Sequence, residues 1–67
     1  METSGMKVGE MIAMLEADGW AQVRMRGSHR QFKHPWKTGT VTVAGKLSAD
    51  IPAGTYAAIR RQAGLRT

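Results

Sequence analysis

Sixty-seven residues with a net charge of +5 and a pI near 10.5 make one small basic domain. Cysteine is absent, which excludes disulfides, thiolate metal sites and cysteine catalysis. No apolar run approaches the ~20 residues that cross a bilayer, and Met1-Glu2-Thr3-Ser4-Gly5 has neither the basic nor the apolar part of a secretory signal, so a cytoplasmic domain away from membranes is expected.

The charge is divided unevenly. Residues 1–18 hold Glu2, Glu10, Glu16 and Asp18 against Lys7, a net of −3, whereas residues 19–67 hold nine Lys/Arg against Asp50, a net of +8. An acidic first segment on a strongly basic remainder points to a phosphate-bearing partner.

In chain order, residues 1–6 read as a flexible leader, with Met6 an alternative start, and residues 7–67 as a single domain. Over residues 8–18 the apolar positions Val8, Met11, Ile12 and Leu15 fall on one helical face, with Gly9 as N-cap and Gly19 as the stop. Residues 20–26 then alternate, Ala21, Val23 and Met25 pointing one way and Gln22, Arg24 and Arg26 the other. Gly27-Ser28 is a turn, and residues 29–34 form a second strand anchored by Phe32. A further turn, Pro35-Trp36-Lys37-Thr38-Gly39, leads to the β-branched strand Thr40-Val41-Thr42-Val43. Residues 44–50 show no periodicity and read as a loop. Pro52 suits the first turn of a helix that runs to about residue 63, with Tyr56, Ile59 and Ala63 on one face. Gly64 followed by Leu65 fits a left-handed C-cap. The order is α-β-β-β-α, an α+β domain in which both helices cover one face of a three-stranded antiparallel meander.

A sheet covered on one side buries alternate residues and exposes the rest. With Val23, Met25, Phe32, Val41 and Val43 toward the helices, the open face carries Gln22, Arg24, Arg26, His29, Gln31, Lys33, Thr40 and Thr42, and no acid. Arg30 and His34 share the parity of Phe32. His34, at a strand end, is expected to reach solvent; the direction of Arg30 is left open.

His29 is the sharpest candidate for chemistry, set in a stretch rich in Lys and Arg and free of carboxylates. An imidazole gives or takes a proton near neutral pH, and RNA carries its own nucleophile in the ribose 2′-OH. A proton-transfer group plus cations for the phosphorane charge therefore suffices for cleavage. His34-Pro35 reads as structural. The two histidines lie on opposite strand faces, and the basic segment has no carboxylates for a hard divalent cation, so a metal site and two-metal nuclease chemistry are disfavoured. Trp20 reads as a core cover, and Trp36 as a base-stacking or partner contact in an exposed turn. Three functions compete on these residues: a metal-independent ribonuclease, a non-catalytic RNA-binding module on the same basic sheet, and an interaction protein that docks an acidic partner.

Several motifs together resemble the HicA toxin family. They are the helix from Lys7-Val8-Gly9-Glu10 to Asp18-Gly19-Trp20, the triplet Gly27-Ser28-His29 with Phe32 and His34-Pro35, the strand Val41-Thr42-Val43, and the ending Pro52-Ala53-Gly54-Thr55 followed by Gln62-Ala63-Gly64-Leu65. The resemblance spans about residues 6–65 and implies a fold similar to the double-stranded-RNA-binding domain. It further implies an mRNA interferase that inhibits translation, needs no cofactor, and is held inactive by a HicB antitoxin; because the open basic face needs covering, that antitoxin is expected over the face bearing His29. The family's catalytic histidine falls on His29 and its glycine and serine on Gly27 and Ser28. Arg24, Arg26, Arg30, Lys33 and Lys46 are the expected RNA-binding cations. Many family members carry a proline and a second histidine after the third strand; this chain has Ala44-Gly45-Lys46, where Lys46 supplies charge but no second imidazole.

Overall fold

A computed structural model describes residues 3–65. Seven elements follow one another: β1 (Thr3–Lys7), α1 (Val8–Ala17), β2 (Ala21–Arg26), β3 (His29–Lys33), β4 (Val41–Ala44), β5 (Asp50–Pro52) and α2 (Ala53–Ala63). The strands β2-β3-β4 form the expected antiparallel meander, and the fold is α+β. Val8, Met11 and Leu15 of α1 and Ile59 and Ala63 of α2 pack with Phe32, Val41 and Val43 in one buried core, so both helices lie on the sheet face that carries Phe32. Trp20 and Ile51 complete that core. Trp20 is thus the core cover that its position after α1 suggests.

Two strands were not legible in the sequence. β1 and β5 pair antiparallel in a separate two-stranded sheet, with Thr3 opposite Pro52 and Lys7 opposite Asp50. The stretch read as a leader therefore carries a strand from Thr3 onward; residues 1 and 2 lie outside the described residues. The Ser4 hydroxyl donates to the Ile51 carbonyl (2.8 Å), and the Lys7 ammonium pairs with the Asp50 carboxylate.

The start of α1 is also built differently from expectation. The cap is Lys7, not Gly9, and the Lys7 amide donates to the Glu10 carboxylate at 2.8 Å. The first helical amides would otherwise lack partners. Val8 and Gly9 donate to the carbonyls of Ala49 (2.9 Å) and Leu47 (3.0 Å), so the aperiodic loop after β4 is ordered by capping α1. At the other end of the chain α2 closes as predicted. Gly64 is left-handed (φ 65°), Gly64 donates to Arg61 and Leu65 to Arg60, and Leu65 packs against the core: a Schellman motif. Pro52 ends β5 immediately before the helix rather than lying in its first turn.

The largest correction concerns β2. Val23 and Met25, expected in the core, are 57% and 52% exposed. The β2–β3 ladder slips between Gln22 and Arg24, leaving Val23 without an opposite residue. Such a bulge inverts the alternation between the residues on its two sides: Arg24, Met25 and Arg26 keep the faces expected of them, and the residues before the bulge exchange theirs. Gln22, opposite Phe32, moves to the helix-facing side instead of the open face. Met25, opposite Arg30, stays on the helix-facing side, but β2 is the sheet's edge and all six of its residues are exposed.

Candidate active site and nucleic-acid interface

The open face of the meander can be read from the register. Its first row sets Arg26, His29 and Ala44 side by side across β2, β3 and β4; the second sets Arg24, Gln31 and Thr42. Lys33, opposite Ala21, follows in a third row. Directly opposed side chains on one face stand ~4.5–5.5 Å apart at Cβ. His29 therefore has a guanidinium beside it on β2, a second one a row away, and only the methyl of Ala44 on its β4 side. Residues 19–49 contain no Asp or Glu, so no carboxylate from this sheet neutralises the face.

The hairpin turn aims His29. Gly27 has φ 57° while Ser28 stays at negative φ, as in a type II′ turn whose first central position favours glycine. Nothing lies within 4 Å of a Cβ placed on Gly27, so glycine is needed here for its backbone angle and not for space. The Gly45 amide donates to the Ser28 carbonyl (3.1 Å), which extends the β3–β4 ladder by one step. That bond brings the loop holding Lys46, itself exposed, to the end of the sheet where Gly27, Ser28 and His29 sit. Gly27, Ser28, His29, Arg26 and Lys46 thus converge on one end, with Arg24 and Lys33 further along the same face.

Arg30 does not join them. It is opposite Met25 and Val43, on the helix-facing side, and its guanidinium donates to the Gly45 carbonyl at 2.8 Å. The charge is half-buried and spent on tying β3 to the loop that also caps α1.

His34 was expected to reach solvent and is instead buried, its side chain closed off completely. Its Nδ1 accepts from the amides of Trp36 and Lys37 (3.2 Å each), which leaves Nε2 as the protonated nitrogen, donating to the Asp18 carbonyl at 2.7 Å. The ring stands edge-on between Trp20 and Trp36. It has room only because residue 19 is glycine: a Cβ there would come 2.8 Å from His34 Nε2, and the backbone has φ 105°. Lys37 completes the clasp, donating to the Asp18 carboxylate (2.6 Å) and the Ala63 carbonyl (3.1 Å). The hydrogen bond from Lys37 holds the Asp18 carboxyl below the usual aspartate range, with partial desolvation opposing it. Sequence reading missed this Asp18–His34–Lys37 link between the ends of both helices. The pairing of Gly19 with a strand-end histidine was the available signal.

Among the described residues no three His, Asp or Glu side chains are grouped so as to hold a metal ion, and no helix is long and apolar enough to cross a membrane.

No curated protein matches the chain. A family model described as the HicA toxin of bacterial toxin–antitoxin systems matches residues 8–65, from the first residue of α1 to the leucine that closes the C-cap of α2. That match takes in most of the chain, including the turn and strand that present His29 and the glycine and histidine that lock together at its opposite end. The chain belongs to the HicA toxin family of bacterial toxin–antitoxin systems.

Proposed function

We propose that this toxin is a metal-independent endoribonuclease that cleaves mRNA on the open sheet face, inhibits translation in the cytoplasm, and is silenced by a HicB-like antitoxin covering that face. The observation that carries the reading is the row Arg26–His29–Ala44 on a face without carboxylates: an exposed imidazole with cations around it and nothing to repel a phosphate. In the reaction the ribose 2′-oxygen forms a bond to phosphorus as the bond to the 5′-oxygen breaks. The 2′-hydroxyl loses its proton and the departing 5′-oxygen gains one; His29 serves one of these transfers as general base or general acid. Arg24, Arg26 and Lys33 hold the backbone and offset the charge that gathers on the non-bridging oxygens. Gly27 and Ser28 shape the turn, with a Ser28 hydroxyl or backbone amide available to a phosphate oxygen, and Lys46 adds charge at that end.

The test is cleavage of an mRNA in excess EDTA. The parent chain is expected to leave 2′,3′-cyclic or 3′-phosphate ends and free 5′-hydroxyls, and His29→Ala is expected to retain RNA binding with cleavage reduced ~10²-fold or more. Strict magnesium dependence with 5′-phosphate products would sink the reading. One observation favours a second reading, RNA binding without turnover: the residue across from His29 on β4 is Ala44, so no second titratable side chain stands beside it. Under that reading the parent binds RNA with a steep salt dependence and cleaves nothing.

A further inference from the structure

At the end of β3 away from His29, the chain presents an aromatic side chain that the core does not use. Trp36 is 78% exposed. It is nevertheless held in place, because its amide and that of Lys37 bond to the buried His34 ring, and its indole stands 4.7 Å from that ring at 82°. An exposed tryptophan fixed from behind costs little ordering entropy when something flat lies against it. Trp36 also lines an open cavity of about 560 Å³ together with Lys37, Thr38 and Arg61 at the C-terminal end of α2. The Lys37 ammonium is committed to Asp18 and Ala63, and Gln62 is turned to the Thr40 carbonyl. Arg61 is exposed and forms no ion pair among the described residues, and no carboxylate lines the cavity.

We propose, building on the RNA-cleaving reading of the open face, that Trp36 and Arg61 form a second subsite on the RNA strand, Trp36 stacking an unpaired base and Arg61 contacting the adjoining phosphate. A flat, sequence-tolerant platform beside a free guanidinium is the recurring means of holding single-stranded nucleic acid. The placement suits a strand that starts at His29 on the open face and passes round the far end of β3 to the C-terminal end of α2, which lies on the covered side. From His29 to Lys33 the chain advances ~13 Å at ~3.3 Å per residue, and Trp36 lies three residues beyond. The length of β3 alone is about four base steps at a stacked spacing of ~3.4 Å, and Trp36 lies past its end. The subsite therefore acts on substrates longer than a dinucleotide and anchors the strand on one side of the bond to be cut.

The experiment uses the parent chain and single-stranded 2′-O-methyl oligoribonucleotides, which cannot be cut by 2′-OH attack, six and two nucleotides long. The hexamer is expected to quench a fluorescence component that disappears in Trp36→Ala, since Trp20 is buried and remains. Trp36→Ala should weaken hexamer binding at least ~10-fold and leave the dinucleotide unchanged, with Trp36→Phe recovering most of the loss. Arg61→Gln should lower the slope of log K against log salt by about 0.7, the value for one phosphate of a single strand. Unchanged hexamer affinity in Trp36→Ala overturns the proposal, as does a loss confined to antitoxin binding, which would assign Trp36 to the protein partner. The two readings fail separately. A chain that binds the hexamer through Trp36 yet cleaves no mRNA loses the nuclease reading and keeps the subsite; a chain that cleaves mRNA with a hexamer affinity indifferent to Trp36 does the opposite.

Discussion

His29 and His34 are five positions apart and chemically identical, yet their surroundings assign them opposite work. His29 stands exposed in a row with Arg26; His34 has no exposed side-chain surface and spends both nitrogens on backbone groups. On the proposed reading, substituting the first touches RNA cleavage and not the fold, so His29→Ala is expected to melt within a few degrees of the parent while losing cleavage. The second is tied to Gly19. Gly19→Ala strains a backbone held at φ 105° and drives a methyl into His34 Nε2. We expect a thermal midpoint lower by ~8 °C or more, since ~1 kcal/mol moves a domain of this size by ~4–8 °C and both strain and a displaced ring contribute. A midpoint equal to the parent's would mean that His34 yields without cost. Asp18 sets a pH dependence of known sign. Its carboxyl is held down by Lys37 in the folded chain, so the stabilisation is fully present above the usual aspartate range and is lost as pH falls through the lowered value. Acid titration of the melting midpoint should show this limb in the parent and a smaller one in Asp18→Asn.

The helix α1 was legible from Val8, Met11 and Leu15, and those three are buried; α2 was legible from Ile59, Ala63 and the Gly64-Leu65 cap. The strands were harder because alternation describes only the strand's own two faces. β3 and β4 kept their parity, and Phe32, Val41 and Val43 are buried as predicted. β2 did not, because the bulge at Val23 and the absence of a strand beyond it are properties of its pairing partners. The energetics should follow this division. Phe32→Ala opens the middle of the core and is expected to cost ~3–5 kcal/mol, enough to unfold a domain of this size without a partner. Met25→Lys, on the exposed edge, should change stability by less than ~0.5 kcal/mol. Denaturant melts of the two variants check both, and a cooperative parent-like melt for Phe32→Ala would show that the core does not depend on it.

For the molecule as a whole, the charge asymmetry along the chain becomes an asymmetry in space. The acid-rich first helix packs on the covered side of the sheet, while Arg24, Arg26 and Lys33 crowd the open side around His29. On the proposed reading the antitoxin occludes this surface, and a partner carrying acidic groups onto the open face is the direct way to do so. Hydrogen exchange in the toxin–antitoxin complex is expected to protect β2 and β3, with Arg24 and Lys33 at or near the contact. Protection confined to α1 and α2 would place the antitoxin on the covered side and leave the open face accessible.

Sequence periodicity and composition were enough to establish both helices, the meander, the acid-free face and the place of His29 in it. Each of these depends on residues close together in the chain, through spacing, turn chemistry or the lack of carboxylates over a long stretch. Pairings across the whole chain were decided elsewhere. β1 needs β5, forty-odd residues away, before it is a strand; the loop after β4 has order because it caps α1; and Arg30, turned inward by the alternation of β3, finds its partner in the carbonyl of Gly45. None of these partners leaves a local pattern, because a hydrogen bond or a strand pair between distant segments places no constraint on the residues adjacent to either one.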